Sequence, residues 1–465
     1  MRMTRFSHCI LALLGCSLIF LLAACGGTSA NPPPTSSPTT AVTPGKTATP
    51  VPTITTQPVP PVQTSCPPQG SVRAAVTAPL AIGKDPNIVY LVTEYNPSNT
   101  QNETGTPTST LKRYDVTTGA KTEIVKIPGV TIDSPQVSAD GQWILFVTIA
   151  DHSNELQMVR MDGQGLQTLY CLQNGRISNM LWSSNQQKVL FSASAAPNGF
   201  SGLYAANIAN GTIEQVLKPV SSSPLGSVAV NPITWLNNTR VYVSFSNFPI
   251  APEDRIGLLD TSRGTQTVSD LTTVYQQTLG TPFNYPCYDA DSSYDATMLY
   301  ISQCSGISAP NCSGSCALGT REGPTTIFTE TATGGSKQTF LTNQSLGIAA
   351  IRAVTGNTLL LQVDTFSENH TVDSSQNGLW KVNVDGSGLT RLSTDAKGII
   401  TSLCQFSQNP WSNVSRDGSM YAFETYTKVY PTTFTLAFGQ MSGGNPQTLA
   451  SITGTHLEMV GWTTM

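Results

Sequence analysis

Cysteines are the residues of this chain whose spacing most directly suggests chemistry. Four of the ten cysteines fall between positions 287 and 316. A cluster of this kind can form disulfide bonds, which would order a long Gly/Ser-rich segment that has little core of its own, or it can bind zinc. The segment contains no Cys-x-x-Cys pair and no nearby histidine, so we expect disulfides and no metal or other cofactor. Cys287–Cys304 and Cys312–Cys316 are the candidate pairs, and the connectivity stays open.

Carboxylates and histidines offer weaker signals. Asp289, Asp291 and Asp295 have a spacing that a calcium loop could use, but this segment also aligns with a tight turn elsewhere in the chain, so a solvated turn is favoured. The mature histidines, His152, His370 and His456, are far apart in the sequence. No hydrolase, metalloprotease or nucleotide-binding motif is present. We therefore predict no catalytic site.

The N-terminal segment predicts export. Arg2 and Arg5 precede an apolar run from Cys9 to Ala24, which is typical of a secretory signal and short for a membrane span. Leu22-Ala23-Ala24-Cys25 resembles the lipobox of bacterial lipoproteins. The resemblance implies that residues 1–24 are a signal peptide and that Cys25 carries a lipid anchor. We therefore expect an extracytoplasmic protein held on the outer face of the cell membrane.

A separate compositional zone follows the candidate anchor. Residues 25–70 are rich in Pro, Thr and Ser, and Lys46 is the only charged residue between Cys25 and Arg73. Because Pro fixes φ and removes hydrogen-bond donors, such a segment favours extended polyproline II over packed structure. It predicts a disordered stalk between the membrane and a domain over residues 71–465.

The remainder of the chain is a repeat of short strands. Seven β-branched and aromatic runs, from Ile88–Val92 to Met420–Phe423, start 46 to 61 residues apart. Each is followed by a second strand and a glycine-marked turn, which we expect to be type I′. About four strands per repeat predict an all-β, seven-bladed propeller of antiparallel blades. The turns are Thr118-Gly119, Asp162-Gly163, Asn210-Gly211, Arg263-Gly264, Gly334-Gly335, Asp385-Gly386 and Gly443-Gly444.

Two turns carry a family resemblance. Ser138-Ala139-Asp140-Gly141 and Ser415-Arg416-Asp417-Gly418 resemble the Ser-Pro-Asp-Gly turn of the TolB-type propeller repeat. The resemblance covers the chain after about residue 75. It is strong in units two and seven and degenerate in units three to six, whose first hairpins lack the Asp-Gly turn. It implies an architecture that many functions share.

Strand counting predicts how the ring closes. The first repeat begins at its second strand, Asn87–Tyr95, and Leu457–Trp462 is left over after the seventh repeat. Trp462 aligns with Trp182 and Trp235, which end innermost strands. We therefore expect the C-terminal strand to become the inner strand of blade one, which removes two exposed sheet edges.

The predicted blades have one plain face and one elaborated face. First-to-second and third-to-fourth strand turns are short, whereas second-to-third turns carry insertions near residues 96–110, 248–255, 306–324, 367–377 and 427–433. Long loops commonly carry function, so the ligand should bind there. Two inter-blade links add aromatic residues that could contact it, unless these residues only cap the cores of the blades. They are Tyr275, Phe283 and Tyr285 before blade five, and Phe406 and Trp411 before blade seven.

Charge limits the choice of partner. The chain has 24 Lys+Arg against 28 Asp+Glu and a net charge of −4, which supplies no basic field for nucleic acid. We predict a surface-anchored binding or scaffold lipoprotein that is not an enzyme, with a protein, peptide or glycan as its ligand. The alternative is an extracytoplasmic polysaccharide lyase or hydrolase, because related propellers carry such chemistry.

Overall fold

The structure is a computed structural model that describes most of the chain after residue 80. The described residues are 80, 83–99, 104–150, 153–183, 185–194, 202–218, 229–246, 253–278, 284–285, 288–293, 297–304, 306–308, 320–322, 324–331, 333–334, 336–354, 357–363, 374–394, 399–402, 413–427 and 431–464. The predicted lipidation site Cys25 and the predicted stalk lie outside them.

The described residues form seven four-stranded antiparallel sheets, so the predicted propeller is confirmed. Blade one contains β1 (Pro86–Asn99), β2 (Thr104–Asp115), β3 (Lys121–Pro128) and β31 (His456–Thr464). Blade two contains β4 (Thr131–Val137), β5 (Trp143–Ile149), β6 (Ser153–Arg160) and β7 (Gln167–Gln173). Blade three contains β8 (Arg176–Trp182), β9 (Lys188–Ser194), β10 (Gly202–Asn207) and β11 (Ile213–Leu217). Blade four contains β12 (Ala229–Trp235), β13 (Arg240–Ser246), β14 (Glu253–Asp260) and β15 (Thr272–Thr278).

The later blades repeat this order, and one of them carries an insertion. Blade five contains β17 (Tyr288–Ser292), β18 (Met298–Gln303), β21 (Thr325–Thr331) and β22 (Gln338–Asn343), and the small sheet of β16 (Asn284–Tyr285), β19 (Gly306–Ser308) and β20 (Thr320–Glu322) accompanies it. Blade six contains β23 (Ile348–Val354), β24 (Thr358–Val363), β25 (Gly378–Asn383) and β26 (Thr390–Thr394). Blade seven contains β27 (Ile399–Ser402), β28 (Met420–Thr427), β29 (Thr433–Gln440) and β30 (Gln447–Thr453). Single 3-10 turns span Val268–Asp270 and Ser374–Gln376, and within the described residues no helix is long and apolar enough to cross a bilayer.

The ring closes as strand counting predicts. The C-terminal strand β31 pairs antiparallel with β1, and Trp462 lies opposite Ile88. Trp462 is 1% exposed and packs against apolar side chains from blades one and seven. The first and last segments of the domain therefore share one sheet, and neither leaves an open edge beside the channel.

Each blade interface holds its own apolar core. Seven hydrophobic clusters lie in the described residues, one between each pair of neighbouring blades. A blade is therefore covered on both faces, which explains why β5 reads as the continuous run Trp143–Ile149 rather than as an alternating one. The same reason makes the seven β-rich runs visible in the sequence.

The glycine-marked turns differ from the type I′ turns that the sequence suggested. In blade two, Gly163 N–H donates to the Arg160 carbonyl (2.8 Å), Arg160 N–H donates to the Gln164 carbonyl (2.9 Å), and Gly163 has a φ of 83° whereas Asp162 has no positive φ. This is a type I turn followed by a left-handed glycine, the usual form of a three-residue hairpin loop. Asp162 Oδ1 accepts from Gln164 N–H (3.1 Å), which fixes the loop without a positive φ at the aspartate. The first hairpin of the same blade also has a left-handed glycine, Gly141 with φ of 74°, in its Asp140-Gly141 turn.

Blade three keeps this turn without the Asp-Gly signature. Ser183 Oγ donates to Asn185 Oδ1 (2.9 Å) and accepts from Lys188 N–H (2.9 Å), as Ser138 does with Asp140 and Trp143. Gln186 occupies the glycine position with φ of 59°. At this hairpin the two blades therefore differ in sequence but share the same hydrogen bonds and backbone geometry.

Blade seven contradicts one sequence interpretation. Ser402 of β27 already pairs with Glu424 of β28, and the ladder resumes with a bridge between Val414 and Tyr421. The chain therefore pairs with β28 on both sides of residues 403–412, so these residues do not link blades six and seven. Phe406 and Trp411, predicted to lie in that link, fall within this range and outside the described residues.

Candidate functional site

Polar side chains join the inner strands of neighbouring blades around the propeller axis. Inner strands of different blades do not form a common ladder, so their polar groups need other partners. Described side chains supply several of them. Gln136 donates to the Met180 carbonyl (2.5 Å), Asn179 to Asn231 Oδ1 (2.7 Å), and the hydroxyls of Thr234 and Ser292 lie 3.2 Å apart.

Blades five and six are joined by a buried ionic contact. Asp289 accepts hydrogen bonds from Ile351 N–H (2.7 Å) and Arg352 Nη1 (2.9 Å), and the side chains of this ion pair are 4% and 2% exposed. Asp291 accepts from Ala353 N–H (2.6 Å). Burial raises the pKa of Asp289, and it raises that of Asp291 to about 7. Neither the calcium loop nor the favoured solvated turn is correct for these two residues, because they belong to inner strand β17 and tie two blades together.

Blades seven and one meet at a second group of ionisable side chains. Glu424 of β28 accepts a hydrogen bond from Met459 N–H of the closing strand β31. His456 Nε2 and Glu458 Oε2, both on β31, lie 3.3 Å apart. Asp133 of β4 interacts electrostatically with Glu458 and His456, and also with Arg176 of β8. We call these five residues the channel cluster.

The channel cluster is rich in carboxyl groups and partly open to solvent. It holds three carboxyl groups against one guanidinium and one imidazole. Glu458 is 8% exposed, whereas Asp133 and Glu424 are partly exposed and Arg176 is exposed. Burial raises the pKa of all three carboxyl groups, and for Glu424, burial and the charge of Glu458 raise it to about 8.

The channel cluster lies at one end of the propeller. Arg176 is the first residue of β8, and Asp133 and Glu458 are each the third residue of their inner strands. Inner strands begin where the inter-blade links arrive, which is also where the second-to-third strand loops emerge. We call this side the insertion-bearing end and the opposite side the tight-turn end. At the insertion-bearing end the β1–β2 hairpin extends to a pairing of Asn99 with Thr104, so part of that insertion is strand.

Of the aromatic ligand candidates, the structure describes the side chain of Tyr275. It is 5% exposed, and its hydroxyl donates to Gln303 Oε1 (2.9 Å). Its ring packs against Phe328 and Tyr288 between blades four and five. Tyr275 therefore caps a core and does not present its ring to a ligand, which corrects its assignment to the ligand face.

The other candidates cannot be assigned contacts. Tyr285 lies in the short strand β16, which pairs with β19, and its side chain is outside the described residues. Phe283, Phe406 and Trp411 are outside them entirely. The aromatic candidates therefore do not form a described site, and their role stays a prediction.

Like the aromatic candidates, the cysteines lie partly inside and partly outside the described residues. Cys304 directly follows β18 and is 2% exposed, and Cys171 lies in β7. Both are disulfide-bonded. Cys287, Cys312 and Cys316 also lie outside these residues, so the pairing within this region stays a prediction.

The chemistry available to the channel cluster is that of clustered carboxyl groups. Within the described part of the chain, no group of three or more His, Cys, Asp or Glu has a geometry suited to a metal ion. The cluster can accept hydrogen bonds from a ligand, and a carboxyl group with a pKa near 8 can donate a proton at neutral pH. Sequence reasoning missed this site because its members come from four blades. A carboxylate near the start of an apolar inner strand, as Glu458 is, was the available signal.

Comparison with known proteins finds likeness in fold but not in sequence family. No protein-family model matches the sequence, and no curated protein matches it. Among solved structures, the β-propeller domain of the Trilobed protease from Pyrococcus furiosus is 11% identical with a TM-score of 0.46, and the match covers 80% of this chain and 97% of that one.

In two further similar structures, this chain covers less than two thirds of the other chain's length. TolB from Acinetobacter baumannii is 12% identical with a TM-score of 0.37, and the match covers 64% of this chain and 62% of that one. The acylaminoacyl peptidase of Pyrococcus horikoshii is 11% identical with a TM-score of 0.47, and the match covers 82% of this chain and 54% of that one. At these identities the likeness concerns the propeller fold alone.

Proposed function

We propose that this protein is a lipid-anchored, extracytoplasmic binding module whose ligand binds at the insertion-bearing end of the channel. The observation that carries the proposal is the channel cluster, because ionisable groups with raised pKa values in an accessible site are unusual outside functional sites. The long loops at the same end support it, since binding residues concentrate on loops held by a rigid scaffold.

The anchor is the second part of the proposal. It rests on the complete match of Leu22-Ala23-Ala24-Cys25 to a lipobox and on the proline-rich stalk that follows. Several acyl chains, each contributing ~0.8 kcal/mol per buried CH₂, would hold the protein stably at the membrane. In a bacterial expression host, Cys25→Ser should abolish lipid labelling and move the protein out of the detergent phase. Unchanged labelling would contradict the anchor.

A polysaccharide lyase or hydrolase is the second candidate. One observation favours it: Glu424, partly exposed and with a pKa of about 8, would be protonated at pH 7 and could act as a general acid. Glu424 also accepts a hydrogen bond from Met459 N–H, which gives it a role in joining blades without catalysis.

One paired experiment separates the two candidates. The purified domain is applied to glycan and peptide arrays, and every ligand that binds is then incubated with the domain and analysed for cleavage products. We expect binding with no turnover above that of a Glu424→Gln variant. Turnover that Glu424→Gln abolishes, in a variant that still binds, would favour the enzyme.

A further inference from the structure

One carboxylate oxygen of the channel cluster has no partner among the described residues. Glu458 is 8% exposed, and its Oε1 is buried with no hydrogen-bond partner in the described part of the chain. The other oxygen, Oε2, lies 3.3 Å from His456 Nε2. A buried carboxyl oxygen without a hydrogen-bond donor destabilises the folded protein, because the oxygen has lost its water without gaining a partner. Such an atom points to a hydrogen-bond donor that this site is built to receive.

Two further carboxyl groups interact with Glu458. The charge of Glu458 raises the pKa of Glu424, and the charge of Asp133 raises the pKa of Glu458. Glu424 and Asp133 are half-buried residues. A donor that reached all three would need several N–H groups and a positive charge.

The basic side chains of the cluster do not meet this need. Arg176 is exposed and interacts with Asp133, and the side chain of His456 is 43% exposed and touches the far oxygen of Glu458. The His456 ring also packs edge-on against Phe434, with centroids 5.4 Å apart. The His456 side chain, 43% exposed, therefore lies on the solvent side of the more buried Glu458.

We propose that the channel cluster binds a primary ammonium group, with Glu458 as its central acceptor and Asp133 and Glu424 as flanking acceptors. A primary ammonium has three N–H donors around one charge, which matches three carboxyl groups with one unpartnered oxygen among them. This deepens the proposed function and rests on it, because it names the chemistry by which the insertion-bearing end recognises a ligand. The ammonium belongs to the ligand, either as a lysine side chain or as an amino sugar.

The probe is n-butylammonium, titrated into the folded domain and followed by NMR. The matched control is tetramethylammonium, which has the same charge and no N–H donor. We expect n-butylammonium to bind and tetramethylammonium to bind at least about ten-fold more weakly, since a charge-assisted hydrogen bond is lost. Equal binding of both cations, or binding of neither, would overturn the inference.

Three variants locate the site, each first checked for an unchanged melting temperature. Glu458→Gln should weaken n-butylammonium binding about ten-fold. Arg176→Gln should strengthen n-butylammonium binding, because removing an exposed cation makes the cluster more anionic. If Glu458→Gln does not fold, this increase in affinity tests the site instead. Glu94→Gln, an exposed carboxylate on β1 outside the cluster, should leave binding unchanged. Equal effects of Glu458→Gln and Glu94→Gln would refute the site.

The ligand source and the proposed function are tested separately. Lysine amide and glucosamine, each compared with its N-acetylated form on the amine, distinguish a peptide from a glycan source. A neutral array ligand that binds at the insertion-bearing end while n-butylammonium does not would overturn this inference and leave the proposed function standing.

Discussion

Arg416 of blade seven donates a hydrogen bond from Nη2 to the Ser138 carbonyl of blade two, 3.1 Å away, across the end of blade one. Blade one has no turn between its first two strands, because its inner strand is the C-terminus of the chain. Arg416 fills the place of that turn, together with Thr463, whose Oγ1 donates to the Gly141 carbonyl (2.8 Å). Burial lowers the pKa of Arg416 to about 10, although Asp140 opposes the shift.

We predict that Arg416→Ala weakens the closed ring. The variant loses a hydrogen bond from a charged donor and the packing of a buried stem, so unfolding should become easier by about 1.5–3 kcal/mol. Urea unfolding measures this. Arg263→Ala is the control, because that side chain is 71% exposed and pairs with Asp260 at the surface; it should change stability by less than about 0.5 kcal/mol. Equal effects of the two variants would contradict the role of Arg416.

Replacing Gln186 with glycine should stabilise the domain. It holds a left-handed backbone at φ of 59° in a turn where blades two and seven have glycine. A left-handed conformation costs a non-glycine residue about 1–2 kcal/mol, part of which the flexibility of glycine in the unfolded chain offsets. Gln186→Gly should therefore stabilise the domain by about 0.5–1 kcal/mol in thermal melts.

The reciprocal change at Gly141 should destabilise the domain. A Cβ at Gly141 would lie 2.7 Å from Thr463 Oγ1 and 2.8 Å from Arg416 Nη2, at φ of 74°. Gly141→Ala is thus expected to lower the melting temperature while Gln186→Gly raises it. A lower melting temperature for Gln186→Gly would show that the two hairpins are not equivalent.

Glu424 should make stability depend on pH. Its pKa is about 8 in the folded protein and ordinary, near ~4.3, in the unfolded chain. The folded state therefore binds the proton more tightly, so the stabilisation is present below the unfolded pKa and is lost as pH rises through about 8. Between pH 5.5 and 8.5 the urea midpoint of the parent should fall more than that of Glu424→Gln, whose amide can still accept from Met459 N–H. Parallel changes in both proteins would contradict the raised pKa.

The register of blade five predicts one disulfide. Tyr288 lies opposite Gln303 in the β17–β18 pair, so continuing the register by one residue brings Cys287 opposite Cys304. Opposed residues of antiparallel strands have Cα atoms about 4.5–5.5 Å apart, within the range that a disulfide spans. Mass spectrometry of unreduced peptides from exported protein should find Cys287 linked to Cys304. A link from Cys304 to Cys312 or Cys316 would disprove this pairing.

The repeat and its closure could be predicted from the sequence because their signals are local. Glycines at hairpins and continuous apolar strands follow directly from turn geometry and from burial on both faces of a blade. The leftover strand ending in Trp462 needed only counting. The assignment of residues to blades was wrong near the four-residue strand β27, where the strand pattern in the sequence is weak. It was also wrong at Asp289 and Asp291, whose sequence resembles a turn although both residues lie in the inner strand β17.

The channel cluster could not be predicted because it depends on how distant residues meet. Asp133 and Glu458 are more than three hundred positions apart in the sequence, and they come together only when β31 closes the ring beside β4. Tyr275 shows the converse: an aromatic residue beside a long insertion suggested a ligand, but its neighbours are the side chains of two blade cores.

The most direct test of the account asks which end of the propeller binds. Exposed Glu94 lies on β1 one residue beyond Thr93, which pairs with His456 at the insertion-bearing end, and exposed Ala209 lies in a tight turn at the other end. Each is replaced in turn by an azide-bearing residue and coupled to polyethylene glycol, and the affinity for the tightest-binding array ligand is measured. We predict that the polymer at position 94 weakens binding at least about ten-fold and that the polymer at position 209 leaves binding unchanged. Loss of binding with the polymer at position 209 alone would contradict this prediction.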